Sequence, residues 1–230
     1  MGKTCILIFS RFANEESAKK KYARVFGNKN GVALASELIH FTLQEAKASG
    51  LPVIPFFSDK QEGNSFGERF ANALEHAFSL GFEKIIACGT DSPSISSTQF
   101  SNVAYLLKNT EMVLAPALDG GVILTGISAN AYQRESILKI PWQTDQVFDS
   151  LKKYAEKISA SLVIESSGED IDEAASFLGW RKDHSKSWLT ILINSLLIDR
   201  LQKVFIASTD KICTAYLSGN ISHRGPPAIV

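Results

Sequence analysis

The stretch Ile85-Ile86-Ala87-Cys88-Gly89-Thr90-Asp91-Ser92-Pro93 decides how this chain folds. An apolar run stops at Gly-Thr-Asp, and Pro93 prevents an immediate helix. This is the pattern of a buried strand that carries one carboxylate to its C-terminal end. In open α/β sheets, ligands bind beyond that end. Val113-Leu114-Ala115-Pro116-Ala117-Leu118-Asp119-Gly120-Gly121 repeats the pattern. Here Asp119 stands at the strand exit, and the two glycines let a backbone or a ligand come close. Two strand-end aspartates point to a site for a cation and the phosphates it neutralises.

The surrounding pattern alternates. Strands are predicted at Thr4–Ser10, Leu51–Phe57, Lys84–Cys88, Glu111–Pro116, Val122–Ile127 and Ala160–Ile164. Helices are predicted at Val32–Ser49, Phe66–Leu80, Gln99–Leu107, Asp145–Ile158 and Ile171–Leu178. Pro52 and Pro55 favour an edge position for the second strand. Gly50 and Gly81 mark helix ends. Strands alternating with helices predict an α/β, Rossmann-like, mostly parallel sheet flanked by helices on both faces. Gly120-Gly121 directly before a strand predicts a sharp reversal, and with it one antiparallel member. The segment after the first strand is polar and lysine-rich and reads as a loop. From about residue 180 the alternation stops, leaving one long helix and a weakly structured tail. The whole is read as a single α/β domain over 1–230, with the alternating core in 1–178 and an extra helical segment in 179–230.

Bulk properties narrow the classes. Apolar residues make up 45% and charged residues 21%, and the formal net charge is zero. No basic excess supports a broad nucleic-acid surface. Cys5, Cys88 and Cys213 are odd in number and far apart, so they read as buried thiols in a reducing compartment rather than as disulfides or a zinc site. The chain enters a strand almost at once, without a signal peptide. The apolar stretch Trp188–Ile206 is broken by Asn194, Asp199, Arg200 and Lys203, which favours an amphipathic packing helix over a membrane span. The expectation is a cytoplasmic protein with a small-molecule partner; the homodimer is left open.

Several side chains carry candidate chemistry, each beside a plainer role. Asp91 reads as a metal ligand or as a helix cap. Asp119 reads as a carboxylate near an acceptor or as a turn residue. Asp170 and Asp172 read as partners of the same cation or as an acidic helix start. Arg11, Lys19, Lys20, Lys21 and Arg24 read as a phosphate-holding cluster or as a solvated face. Ser65 with Glu68 reads as a capping box, whose helix N-terminus can also face an anion. Arg69 pairs with a carboxylate or contacts the nucleotide. Trp142 reads as a packed loop anchor or a stacking platform. The four histidines show no ligand spacing.

Taken in order, the basic loop after the first strand, Gln61…Gly67-Glu68-Arg69, Gly89-Thr90-Asp91-Ser92-Pro93, Asp119-Gly120-Gly121, Pro141-Trp142-Gln143-Thr144 and Asp170-Ile171-Asp172 resemble a family of uncharacterised, glycosyltransferase-like bacterial proteins. That family has the nucleotide-diphospho-sugar transferase (GT-A) fold, and the resemblance runs from residue 1 to about 178. It implies a nucleotide or nucleotide-sugar substrate and Mg²⁺ or Mn²⁺. It implies that Asp91 and Asp172 hold the metal and that Asp119 acts at the acceptor. It implies that Arg11, Lys19, Lys21, Arg69, Gly120 and Gly121 contact the nucleotide. Ala13 and Glu16 stand where the family's first loop has proline and glycine, and Glu16 adds negative charge near the expected phosphates. Three readings follow: metal-dependent glycosyl transfer from a nucleoside diphosphate sugar, nucleotidyl transfer to a phosphorylated small molecule, or a non-catalytic binding protein with a degenerate phosphate loop.

Overall fold

A computed structural model of the chain describes residues 3–168, 180 and 187–217, apart from the side chains of 204–217. Six strands form one sheet in the order β2-β1-β3-β5-β4-β6. They are β1 (Thr4–Phe9), β2 (Val53–Phe56), β3 (Lys84–Cys88), β4 (Met112–Pro116), β5 (Val122–Ser128) and β6 (Leu162–Ile164). β1 pairs in parallel with β2 on one side and β3 on the other. β5 is antiparallel to both β3 and β4, and β6 returns to parallel against β4. The sheet is therefore mostly parallel with one reversed member, and the proline-containing β2 lies on an edge.

Alternation along the strands splits the core in two, because successive side chains point to opposite faces. Leu7, Phe9, Ile85 and Leu114 face one layer, which holds α4 (Phe66–Ser79) and α7 (Val147–Lys157). Ile6, Ile8, Ile86 and Val113 face the other, which holds α3 (Asn28–Ala48) and α5 (Ser97–Leu106). A sheet covered on both faces explains why β1, β3 and β4 read as continuous apolar runs. The start of α4 carries the expected capping box: Ser65 Oγ accepts from Glu68 N, and the Glu68 carboxylate accepts from Ser65 N.

The segment after β1 is not a loop. It folds as α1 (Ala13–Lys19) and α2 (Ala23–Phe26). Tyr22 and Phe26 bury against Leu34 and Leu38 of α3, in a third cluster completed by Leu189 and Ile193. Those last two belong to the C-terminal helix α8 (Trp188–Leu217), on which Ile191, Ile198 and Leu201 remain exposed. A further short helix, α6, is the turn Arg134–Ile137. Among the described residues, no helix is long and apolar enough to cross a membrane. The helix expected at Ile171–Leu178 lies outside the described residues.

The β4–β5 reversal is built around Gly120. Ala117 N donates to Gly121 O, and Gly120 N donates to Ala117 O. Gly120 has φ +91°, and a Cβ there would stand 2.1 Å from Asp145 O. Both the backbone angle and the neighbouring chain exclude a side chain. Gly120→Ala is therefore expected to lower unfolding free energy by about 2–4 kcal/mol, measured by urea denaturation. Little change in the denaturation midpoint would show that this turn tolerates a side chain.

Candidate functional site

From β1 the chain goes first to β2 on one side and later to β3 on the other. The sheet thus changes winding direction between β1 and β3, where α/β sheets leave a crevice at their C-terminal edge. Reversal of β5 brings its start to this same edge, so the exits of β1, β3 and β4 meet the entry of β5. A cavity of about 550 Å³ opens there.

Its charged part comes from three elements. Arg11 follows β1, Lys19 and Lys20 end α1, and Asp91 follows β3; all four line the cavity. Lys20 Nζ donates to Asp91 Oδ2 at 2.6 Å, and only 12% of the lysine side chain is exposed. Arg11 pairs with Glu16 at 3.2 Å, and Glu16 also lines the cavity. Behind these groups Ser10 and Thr90 share a hydrogen bond of 2.7 Å that ties the exits of β1 and β3 together. Gln61 donates to Ser10 O at 2.8 Å and to Phe56 O at 3.1 Å, adding the loop after β2 to the same rim.

Across the opening, Asp119 and Gly121 come from the β4–β5 turn. Gly121 N donates to Asp119 Oδ1 at 2.8 Å, which orients the carboxylate. The turn role and the cavity position of Asp119 therefore coexist. The apolar part of the wall is aromatic. Phe9, Phe66, Phe70 and Trp142 contact one another, with Phe9–Phe70 centroids 5.5 Å apart and Phe70–Trp142 centroids 4.9 Å apart. Trp142 is anchored by donation from Nε1 to Ile137 O at 2.9 Å while still lining the cavity.

Of the residues singled out in the sequence, Arg11, Lys19, Asp91, Asp119 and Gly121 come together here. Lys21, Arg69 and Gly120 are not on the cavity wall. Lys21 has φ +56° just past α1, so the chain turns after Lys20 and carries the next lysine away. Arg69 donates to Gly63 O at 3.3 Å and braces its own loop. Gly120 serves the approach of Asp145. Asp170 and Asp172 lie outside the described residues. Lys20 is the group that the sequence reading left in the cluster without a role of its own; nothing in three consecutive lysines marks the middle one as the partner of Asp91.

Burial alone would raise the Asp91 carboxyl, but the charge and hydrogen bond of Lys20, with Arg11 nearby, outweigh it and hold the group below its usual range. A carboxylate lowered in the folded state adds stability above its unfolded pKa and loses it as pH falls towards its folded pKa. Below about pH 4, the native chain should lose stability more steeply than Asp91→Asn. Urea titrations across that range read this directly, and parallel curves would count against the pair. Burial pushes the Cys5 thiol up to about 12. Burial and the neighbouring Asp91 charge push Cys88 higher still. Both thiols should resist iodoacetamide at about pH 8 in the folded chain and react after denaturation, as mapped by peptide mass spectrometry.

Among curated proteins, no sequence matches the chain. Among solved structures, a proposed nucleotide-diphospho-sugar transferase from Desulfovibrio desulfuricans G20 superposes with a TM-score of 0.75. Its identity is 18%, over 86% of this chain and 98% of that one. The 4-diphosphocytidyl-2C-methyl-D-erythritol synthase of Anaerococcus prevotii DSM 20548 superposes with a TM-score of 0.53 at 10% identity, over 81% of this chain and 100% of its own. The shared architecture is that of nucleotide-diphospho-sugar transferases. Residues 29–144 match the sequence profile of DUF2064, described as an uncharacterized protein conserved in bacteria, and the chain belongs to that family.

Proposed function

We propose that this chain is a transferase that takes a nucleoside diphosphate sugar and passes the sugar to an acceptor hydroxyl. The observation that carries the reading is the convergence of Lys19, Lys20 and Asp91 on one side of a cavity with Asp119 on the other. That cavity sits at the winding change of a sheet shared with the Desulfovibrio protein.

In such a transfer the bond from the sugar carbon to the diphosphate oxygen breaks, and charge develops on the leaving diphosphate. Lys19 and Lys20 would bind it, since fixed charges aimed at developing charge lower the barrier. Asp119 would accept the acceptor's proton as its oxygen bonds to the sugar carbon. The aromatic wall suits a base or sugar ring.

A divalent cation fits only in part. Among the described residues, no three His, Cys, Asp or Glu side chains are grouped to hold a metal ion. Mg²⁺ commonly needs only one or two carboxylates when substrate phosphates complete its shell. Asp91 supplies one, and Asp172 is the proposed second. When bound, the cation would neutralise diphosphate charge. Lys20 would then leave Asp91 for a phosphate oxygen.

A thermal-shift screen with Mn²⁺ and nucleoside diphosphate sugars tests the reading. A ligand at a hundred times its dissociation constant should add about 2.7 kcal/mol of stability. Lys20→Met should lose most of that shift, whereas Asp119→Asn should keep it and lose sugar transfer, followed by mass spectrometry. A shift confined to nucleoside triphosphates, with pyrophosphate released, would replace the proposal with nucleotidyl transfer. No shift with any nucleotide would leave a non-catalytic binding protein.

A further inference from the structure

The charges of the cavity do not sum to a simple phosphate cradle. Among the described residues, three cations line it, Arg11, Lys19 and Lys20, against four carboxylates, Glu16, Asp91, Asp119 and Asp145. Two of the cations are engaged from within: Lys20 by Asp91 and Arg11 by Glu16. These two pairs are not equivalent. Asp91 belongs to the strand exit, and its oxygens can be shared with a bound cation. Glu16 belongs to α1, only five residues from Arg11, and only 12% of its side chain is exposed. Its Oε2 accepts from Arg11 Nη1 at 3.2 Å, a single contact on a guanidinium nitrogen that a phosphate oxygen would otherwise take.

We propose that Glu16 is a specificity-determining residue: an internal anion that occupies Arg11 and so limits how much phosphate charge the cavity accepts. The inference rests on the phosphate-binding reading above and adds a selectivity to it. With Arg11 engaged, a bound diphosphate meets Lys19 and Lys20. A third phosphate would need Arg11 as well and would lie beside the Glu16 carboxylate, so like-charge repulsion falls mostly on the longer chain. The cavity therefore favours diphosphate over triphosphate ligands through repulsion as much as attraction. Neutralising Glu16 should tighten both and remove the preference.

Calorimetric titrations with inorganic pyrophosphate and tripolyphosphate test this without choosing a base or sugar. They are best done at low ionic strength, where partly exposed charges are least screened. Glu16→Gln should tighten tripolyphosphate on the order of tenfold and pyrophosphate less. Arg11→Ala in the Glu16→Gln background should abolish that gain, which isolates the pair from a general change in charge. The melting temperature of each variant reports that the fold is kept. Unchanged affinities in Glu16→Gln, or a gain that survives Arg11→Ala, would overturn the inference while leaving the phosphate site in place, provided Lys20→Met still weakens binding. Failure of every variant, and of the native chain, to bind either anion would overturn both.

Discussion

β1 lies inside the sheet, next to edge strand β2, in a layer covered on both faces. Cys5 to Phe9 are buried, β2 and β3 hydrogen-bond to its two sides, and helices cover it above and below. Only the end of such a strand can meet a ligand, and Phe9 at that end lines the cavity. One side of the cavity's polar lining is arranged around it. Ser10 couples it to Thr90, Gln61 caps it, and Arg11 begins the turn into α1. The antiparallel course of β5 adds to this constraint. By bringing a strand entry to an edge otherwise made of strand exits, it sets Asp119 and Gly121 opposite Asp91.

The fold was largely legible in the sequence because its strands are unambiguous. The β3 run is apolar from Ile85 to Cys88 and stops before a glycine, so the strand occupies Lys84–Cys88 as read. Gly120-Gly121 announced the reversal, and Pro55 the edge. What escaped was the region after β1. α1 buries only Ser17 and exposes charged residues on most of its surface, so no helical stripe of apolar residues is present to be read. The site was legible in its aspartates and less so in its lysines. Which of three adjacent lysines reaches Asp91 depends on where α1 stops and on the left-handed backbone of Lys21. Neither is encoded in composition or spacing.

Two cavity residues also hold their own surroundings in place. Asp119 secures a turn through one oxygen while facing the opening. Trp142 ties down its loop through the indole nitrogen while lining the cavity. Gly67 lets that ring pack close, since a Cβ there would lie 3.0 Å from Trp142 Cδ1. A plain packing explanation for any of these residues is correct and incomplete, because the packing is what holds the polar group at the rim.

The end of the basic segment and the start of α3 are braced by a part of the chain made long after them. Asn30 donates to Leu196 O at 3.0 Å and to the Asp199 carboxylate at 2.9 Å, and Arg200 donates to Arg24 O at 3.0 Å. These contacts span well over a hundred residues of sequence, and such distant closures form late. During N-to-C synthesis the sheet can assemble while α1 and α2 still lack their rear support. The nascent protein would thus complete its sheet before the segment carrying Arg11, Lys19 and Lys20 is held from behind by α8.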